Sequence, residues 1–352
     1  VAERDLGFRG GFIEALRTSF PAPSSPDDRM ALEVEADAPL SRRTTFGIGG
    51  PADVLVSAKN EAQVQGVLAA ARDADASVFV LGGGSNLLVG DGGIRGVVLT
   101  LEGDLASLTV LDGGKRIHVG CGCSFPRLTR TALDLGWPGG VGWMGTPGQV
   151  GGAIMMNAGS RWGEVGDDVD VVYAVDADAT HSFTAADCAF SYRSSRFQKA
   201  GVGGARIGAQ VDASITSPDQ ELTRLVLTRV ILQCDKSSIE KAQELDATAK
   251  ELLARRHRTQ PKLRSAGSLF KNPPGDFAGR LIEAAGLKGF TVGRAQISPV
   301  HANFVVNLGG AKAADVVALA DQVCAAVLAH SGVQLEWEVR RVGDFTGHEV
   351  SV

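Results

Sequence analysis

From Phe46 onward, short apolar runs alternate with stretches whose apolar residues recur at helical spacing. That pattern belongs to a chain mixing strands and helices. Asn60 and Gln63 have the spacing of a capping box, and Val64, Val67, Leu68 and Ala71 then share one helical face. Residues 77–81 form a strand-like run that stops at Gly82-Gly83-Gly84-Ser85-Asn86. Residues 107–112 and 115–119 flank Gly113-Gly114, which predicts a hairpin. Ser124 is placed to cap a helix through Leu128, Ala132 and Leu135 that ends at Gly136, and residues 169–178 and 224–234 read as further strands.

Near residue 235 the pattern changes to longer helices. Ser237 and Glu240 make a second capping-box pair, opening a helix to about His257. Asp276 stands as the cap of a short helix with Leu281, Ile282 and Ala285, closed by Gly286. Residues 302–308 predict a strand, and residues 312–330 a helix with Val316, Ala320, Val323 and Val327 on one face. A final strand over 333–341 would put Val333, Leu335, Trp337 and Val339 on one side and Glu336, Glu338 and Arg340 on the other. Residues 1–29 hold little apolar material and a Pro-Ser stretch, so they read as a disordered tail, with Met30 a candidate start. The fold class is α+β, with a tail (1–29), a first unit (30–235, split near 103) and a second unit (236–352).

Composition sharpens this picture at one point. Glycine supplies 45 of 352 residues, about 13% against an average near 7%. No G-X-Y period runs through the chain, so the surplus serves left-handed turns or close backbone approaches. The net charge is −5, and the densest basic stretch, Arg255-Arg256-His257-Arg258, closes a predicted helix. Such a cluster complements the helix dipole, and no nucleic-acid partner is expected. No apolar run approaches the roughly 18 residues of a membrane span, so no membrane association is expected. Five scattered cysteines suit a reduced, cytoplasmic protein. Cys121-Gly122-Cys123 lacks the second pair or nearby His that a metal site needs, so no metal is expected.

The glycine clusters carry the candidate chemistry. Gly82-x-Gly84 fails as a dinucleotide fingerprint because Leu87 stands where the third glycine belongs, and no phosphate-loop GxxxxGK[ST] exists. Half of the fourteen residues 139–152 are glycine. One such loop reads as a pair of tight turns. Two of them, with Ser85, Asn86 and Asn157 embedded, favour an extended, phosphate-bearing cofactor whose groups lie against backbone N–H.

Six stretches then carry a resemblance. They are Thr45-Phe-Gly-Ile-Gly-Gly50, Leu81-Gly-Gly-Gly-Ser-Asn-Leu-Leu88 and Gly145-Thr-Pro-Gly-Gln-Val-Gly-Gly-Ala153 with Asn157-Ala-Gly159. Tyr192-Arg193-x-Ser-x-Phe197, Ser265-Ala-Gly-Ser-Leu-Phe-Lys-Asn-Pro273 and Leu335-Glu-Trp-Glu-Val-Arg340 follow in order. The chain resembles the UDP-N-acetylenolpyruvoylglucosamine reductase (MurB) family, bacterial flavoenzymes of peptidoglycan precursor synthesis. The resemblance implies a FAD-binding domain of the vanillyl-alcohol oxidase and p-cresol methylhydroxylase type, followed by a C-terminal α+β substrate domain. It implies non-covalent FAD held by Thr45, Gly49, Gly82, Gly83, Gly84, Ser85, Asn86, Gly145, Thr146, Pro147, Gly148, Gly151, Gly152 and Asn157. NADPH would be the reductant, and UDP-N-acetylglucosamine enolpyruvate the substrate of a cytoplasmic monomer.

By the same resemblance Ser268 is the proton donor, Arg193 holds the substrate carboxylate, and Glu338 assists charge stabilisation or proton relay. Tyr192, Lys271, Asn272, His301 and Arg340 are the substrate contacts. Thr44 and Arg161-Trp162 depart from the family's usual residues. The stretch after Phe197 is too short for the lid insertion of one subtype, so the chain looks like the shorter, second subtype. An oxidase on the same scaffold, or a non-catalytic flavin-binding module, is the alternative reading. The Ser268, Arg193 and Glu338 set argues against both.

Overall fold

The computed structural model describes residues 6–20, 31–200, 206–207, 210–211, 222–234 and 242–346. Helix α1 (Leu6–Ser19) is followed by strands β1 (Glu33–Pro39) and β2 (Pro51–Ala58), helix α2 (Glu61–Asp73), and strands β3 (Val78–Val80), β4 (Leu87–Val89) and β5 (Ile94–Leu101). Four of the strands make a sheet in the order β1-β2-β5-β3, parallel except where β1 joins the edge antiparallel to β2. β2 and β5 are apolar and buried along almost their whole length, as parallel strands covered on both faces must be. Val54 and Val56 pack with Val64 and Val67 of α2, while Leu55 packs with Phe79 and Val98 in a separate cluster. Asn60 does cap α2, accepting from the Gln63 N–H at 3.0 Å, and the Gln63 side chain accepts from the Lys59 N–H at 2.7 Å.

The chain continues through β6 (Leu108–Leu111), β7 (Arg116–Gly120), α3 (Phe125–Asp134), α4 (Gly139–Trp143) and α5 (Val150–Met155). A tight pair, β8 (Gly159–Ser160) and β9 (Gly163–Glu164), leads to β10 (Val169–Val175), β11 (Thr180–Thr184) and α6 (Arg196–Ala200). After the short β12 (Arg206–Ile207) and β13 (Gln210–Val211) comes β14 (Val226–Gln233). Five of these strands form an antiparallel sheet, β11-β10-β14-β7-β6, whose core is continuous with that under α2.

The last stretch holds α7 (Ala242–Thr259), α8 (Ala278–Ala284), β15 (Thr291–Val292), β16 (Ala295–Ile297), β17 (Val305–Asn307), α9 (Ala313–Ser331) and β18 (Arg340–Val342). α7 packs Leu245, Ala249 and Leu252 against Leu133 and Val141, on α3 and α4. The other elements form a second core around Phe270, Leu281, Val316 and Val323. α9 is long and apolar enough to cross a bilayer, yet Val316, Leu319, Ala320, Val323 and Val327 are buried in that core. Two features tie this core to the first half. Phe46 and Ile48 insert into it, with Asn307 Nδ2 donating to the Phe46 carbonyl at 3.0 Å. β18 pairs parallel with β4, Arg340 opposite Leu87.

Several sequence expectations are corrected. Residues 6–20 are not a disordered tail. Phe12 and Leu16 are buried in the first core, Arg9 reaches Asp53 at 3.1 Å, and Phe20 lies where a side chain on Gly66 would stand. Few apolar residues suffice because they fall on one helical face. Ser124 precedes α3 without a side-chain cap bond. α8 begins after Phe277 rather than Asp276, and its free Ala278 N–H is accepted by Asn272 at 3.1 Å. The alternation over 333–339 holds for Leu335 and Val339, which are buried, but ladder pairing starts only at Arg340. The Ser237 and Glu240 capping box lies outside the described residues.

Candidate active site

A cleft of about 520 Å³ opens between the two sheets of the first half and the C-terminal elements. Its floor is the two glycine loops, Gly82, Gly83, Gly84, Ser85 and Asn86 facing Gly145, Thr146, Pro147, Gly148, Gly151 and Gly152. The glycines divide into two kinds. A Cβ on Gly83 would lie 2.6 Å from Gly148 Cα, and one on Gly84, at φ +59°, 2.3 Å from the Arg43 carbonyl. These positions let the loops seat against each other and against the chain before Thr45. By contrast, a Cβ on Gly82 would meet nothing closer than 3.5 Å, and one on Gly152 nothing within 4 Å. There the missing side chain leaves space in the cleft, a bare backbone surface that suits a phosphate or a flat ring. The residues present therefore fit FAD.

The other wall is made of side chains from three distant segments. Arg193 sits in a tight turn closed by Ser191 and Ser194 and adopts φ +53°, a strained conformation for a residue with a Cβ. Asn157 holds that turn in place: its amide donates to the Ser191 carbonyl at 3.2 Å and to Glu164, and accepts from the Gly166 N–H. Arg193 Nε lies 3.7 Å from Glu338 Oε1. Burial pushes the Glu338 carboxyl above its usual range, against the pull of Arg193 and Lys271. Ser268 follows Gly267 and lies opposite Phe304, its Oγ without a hydrogen bond to any described residue.

Arg340 and Arg256 also line the cleft. In the sequence Arg256 stands only as part of a helix-end basic cluster. In the structure its guanidinium occupies the space that a Cβ on Gly145 would need, 2.8 Å from that point to Nη1. Burial, and Arg193 nearby, hold Arg256 below the usual guanidinium value. Three arginines against one glutamate make the lining suited to anions. No motif marks Arg256, nine residues before Ser265; the folded chain alone brings it and Gln260 to the cleft.

Not every candidate lies in the cleft. Gly49 abuts Val89, and Asn157 stands behind the Arg193 turn, so neither lines it. Tyr192, 77% exposed, is at the outer side of that turn. Lys271 pairs with Glu336 at the surface, and Asn272 is spent on the α8 cap. His301 accepts from the Asn303 N–H through Nδ1 and packs edge-on against Phe304, 4.9 Å between ring centres. Burial lowers its pKa, which favours the neutral ring. Thr45 lines the cleft and donates to the Ser265 carbonyl at 2.8 Å. Cys121 also faces the cleft, but burial raises its thiol far above the usual value, and Cys123 is raised likewise. Neither is poised as a thiolate. Among the described residues no cluster of His, Cys, Asp or Glu could hold a metal.

Comparison with known proteins agrees with this geometry. Residues 52–183 match a FAD binding domain, and residues 260–342 match the UDP-N-acetylenolpyruvoylglucosamine reductase C-terminal domain. The UDP-N-acetylenolpyruvoylglucosamine reductase of Anaeromyxobacter sp. (strain Fw109-5) is 40% identical over 323 residues, 92% of each chain. UDP-N-acetylenolpyruvoylglucosamine reductase 2 of Symbiobacterium thermophilum is 40% identical over 304 residues, 86% of this chain and 90% of that protein. The crystal structure of the enzyme from Thermus caldophilus superposes with a TM-score of 0.68 at 35% identity, covering 89% of this chain and 99% of that one. With a flavin-binding half, a matching C-terminal domain and relatives aligned almost end to end, the chain belongs to the UDP-N-acetylenolpyruvoylglucosamine reductase (MurB) family of flavin-containing reductases.

Proposed function

We propose that the protein uses NADPH to reduce UDP-N-acetylglucosamine enolpyruvate to UDP-N-acetylmuramate, a step in peptidoglycan precursor synthesis. One observation carries the reading. Arg193, Ser268 and Glu338 come from segments far apart in sequence, yet line the same cleft as the glycine loops. FAD held against Gly82–Asn86 and Gly145–Gly152 would supply the redox chemistry, hydride transfer between NADPH and the vinyl CH2 carbon of the substrate. The chain's own residues do the rest. Arg193 and Arg256 hold oxyanions and balance the negative charge that develops beside the substrate carboxylate. Ser268 delivers a proton to the carbon next to that carboxylate, and Glu338, neutral to a higher pH than most carboxyls, backs that transfer. Backbone at Gly82 and Gly152 would lie against the cofactor without covalent attachment, in keeping with the raised thiols of Cys121 and Cys123. We take the protein to act as a monomer, and its five free cysteine thiols fit the reducing cytoplasm.

The test is an anaerobic titration of the flavin-loaded protein. NADPH should bleach the flavin, and the enolpyruvyl sugar nucleotide should restore its colour. A flavin that NADPH reduces but only oxygen reoxidises would mark an oxidase and reject the reading. Ser268→Ala should leave reduction by NADPH intact while slowing reoxidation by the sugar nucleotide about 10²–10⁴-fold, the usual contribution of a positioned proton donor. Equal slowing of both half-reactions would remove Ser268 from that role.

A further inference from the structure

Asn86 ends the first glycine loop, and its side chain does something other than face a ligand. β4 and β18 pair in parallel with Arg340 opposite Leu87, and the Arg340 N–H donates to the Asn86 carbonyl at 3.0 Å. In a parallel ladder of this register, the preceding rung would run from the Asn86 N–H to the Glu338 carbonyl. That rung is made by the side chain instead: Asn86 Nδ2 donates to the Glu338 carbonyl at 3.2 Å. Only the NH2 end of the amide can face a carbonyl, so the orientation is fixed by its partner. On its other side, the Glu338 N–H donates to the carbonyl of Leu269 at 2.8 Å, and the Lys271 N–H donates to that of Glu336 at 2.8 Å. The peptide bearing Glu338 is thus stitched on one edge to the residue after Ser268 and on the other to Asn86.

We propose that Asn86 is a positioning residue for the proton-transfer pair, its side-chain amide standing in for a backbone rung to fix Glu338 beside Ser268 and Arg193. The substitution has a second effect. The Asn86 N–H makes no hydrogen bond to another described residue, and Asn86 lines the cleft. The chain therefore continues the seam while leaving a backbone donor beside Ser85 for the cofactor. A residue without a side-chain donor of this reach keeps the N–H and drops the Glu338 contact.

The inference rests on the reductase reading for its kinetic test, so a structural readout accompanies it. Asn86→Asp keeps the shape and removes the donor; Asn86→Ala removes the whole contact. In both, FAD should remain bound and reoxidation by the enolpyruvyl sugar nucleotide should slow at least about tenfold, with reduction by NADPH slowed by less than about threefold. In a Glu338→Gln background, adding Asn86→Ala should cost less than about threefold more, because the two residues act as one unit. Both variants should also lose amide hydrogen-exchange protection at Glu338 and Arg340, whatever the substrate. Loss of FAD, equal slowing of the two half-reactions, additive effects in the double variant, or unchanged exchange would each overturn the proposal. If wild-type flavin is not reoxidised by the sugar nucleotide, the reductase reading falls, and the exchange measurement alone decides the role of Asn86.

Discussion

The floor and the wall of the cleft are built on opposite plans. The floor, at Gly82 to Gly84 and the glycines of 145–152, works through what its residues lack. The wall at Arg193, Ser268 and Glu338 works through what its side chains carry. On the floor a change of one carbon is an error of shape. On the wall a change of one functional group is an error of charge or proton inventory. Substitutions in the two regions should therefore separate folding, cofactor affinity and turnover.

The largest effect belongs to the floor. Gly84→Ala places a Cβ 2.3 Å from the Arg43 carbonyl in a left-handed backbone, and should cost about 3 kcal/mol or more, clash included. Urea titration should find a destabilised protein with weak flavin retention; a wild-type midpoint would show that the loop moves freely. Arg193→Gln sits on the wall and should leave thermal stability near wild type. Reoxidation by the sugar nucleotide should fall by about 10²–10³-fold, as when one preorganised oxyanion donor is lost. A collapse of stability instead would blur the contrast between the regions.

Gly152→Ala sharpens it. Nothing in the chain opposes that Cβ, so the variant should fold normally and bind FAD about tenfold more weakly, about 1.4 kcal/mol. Fluorescence titration of the apoprotein would measure this; unchanged affinity would mean that the cofactor does not approach Gly152. The smallest effect is on Glu338→Gln. Burial raises the Glu338 pKa in the folded protein, so its stabilising protonated form is lost as pH rises through that value. Glutamine should raise the Tm at neutral pH, with the gain vanishing once pH falls below the ordinary carboxylate range. A gain that persists in acid would assign the effect to packing.

The sequence showed the periodic elements well and the junctions poorly. α2 with its Asn60 cap, the hairpin across Gly113-Gly114 and α9 follow from local spacing that tertiary contacts reinforce. α1 was missed because Phe12, Leu16 and Arg9 gain their partners only once β2 is in place. The residues that line the cleft through short motifs were legible, Ser268 and Glu338 among them. Those that act across motifs were not: Asn157 holds the Arg193 turn, Asn272 caps α8, and Arg256 reaches Gly145. For Asn157 and Asn272 the motif marks that the residue matters while the folded path decides what it touches; Arg256 lies in no motif.

Phe46 and Ile48 bear on how the molecule can move. They leave the first half of the chain and end in the core of the second, where Asn307 holds the Phe46 carbonyl. The segment works as a rivet: swinging the C-terminal elements away from the floor would first draw an aromatic ring out of a packed interior. The two halves should accordingly melt as a single cooperative body, with parting of the cleft's walls resisted by that buried ring.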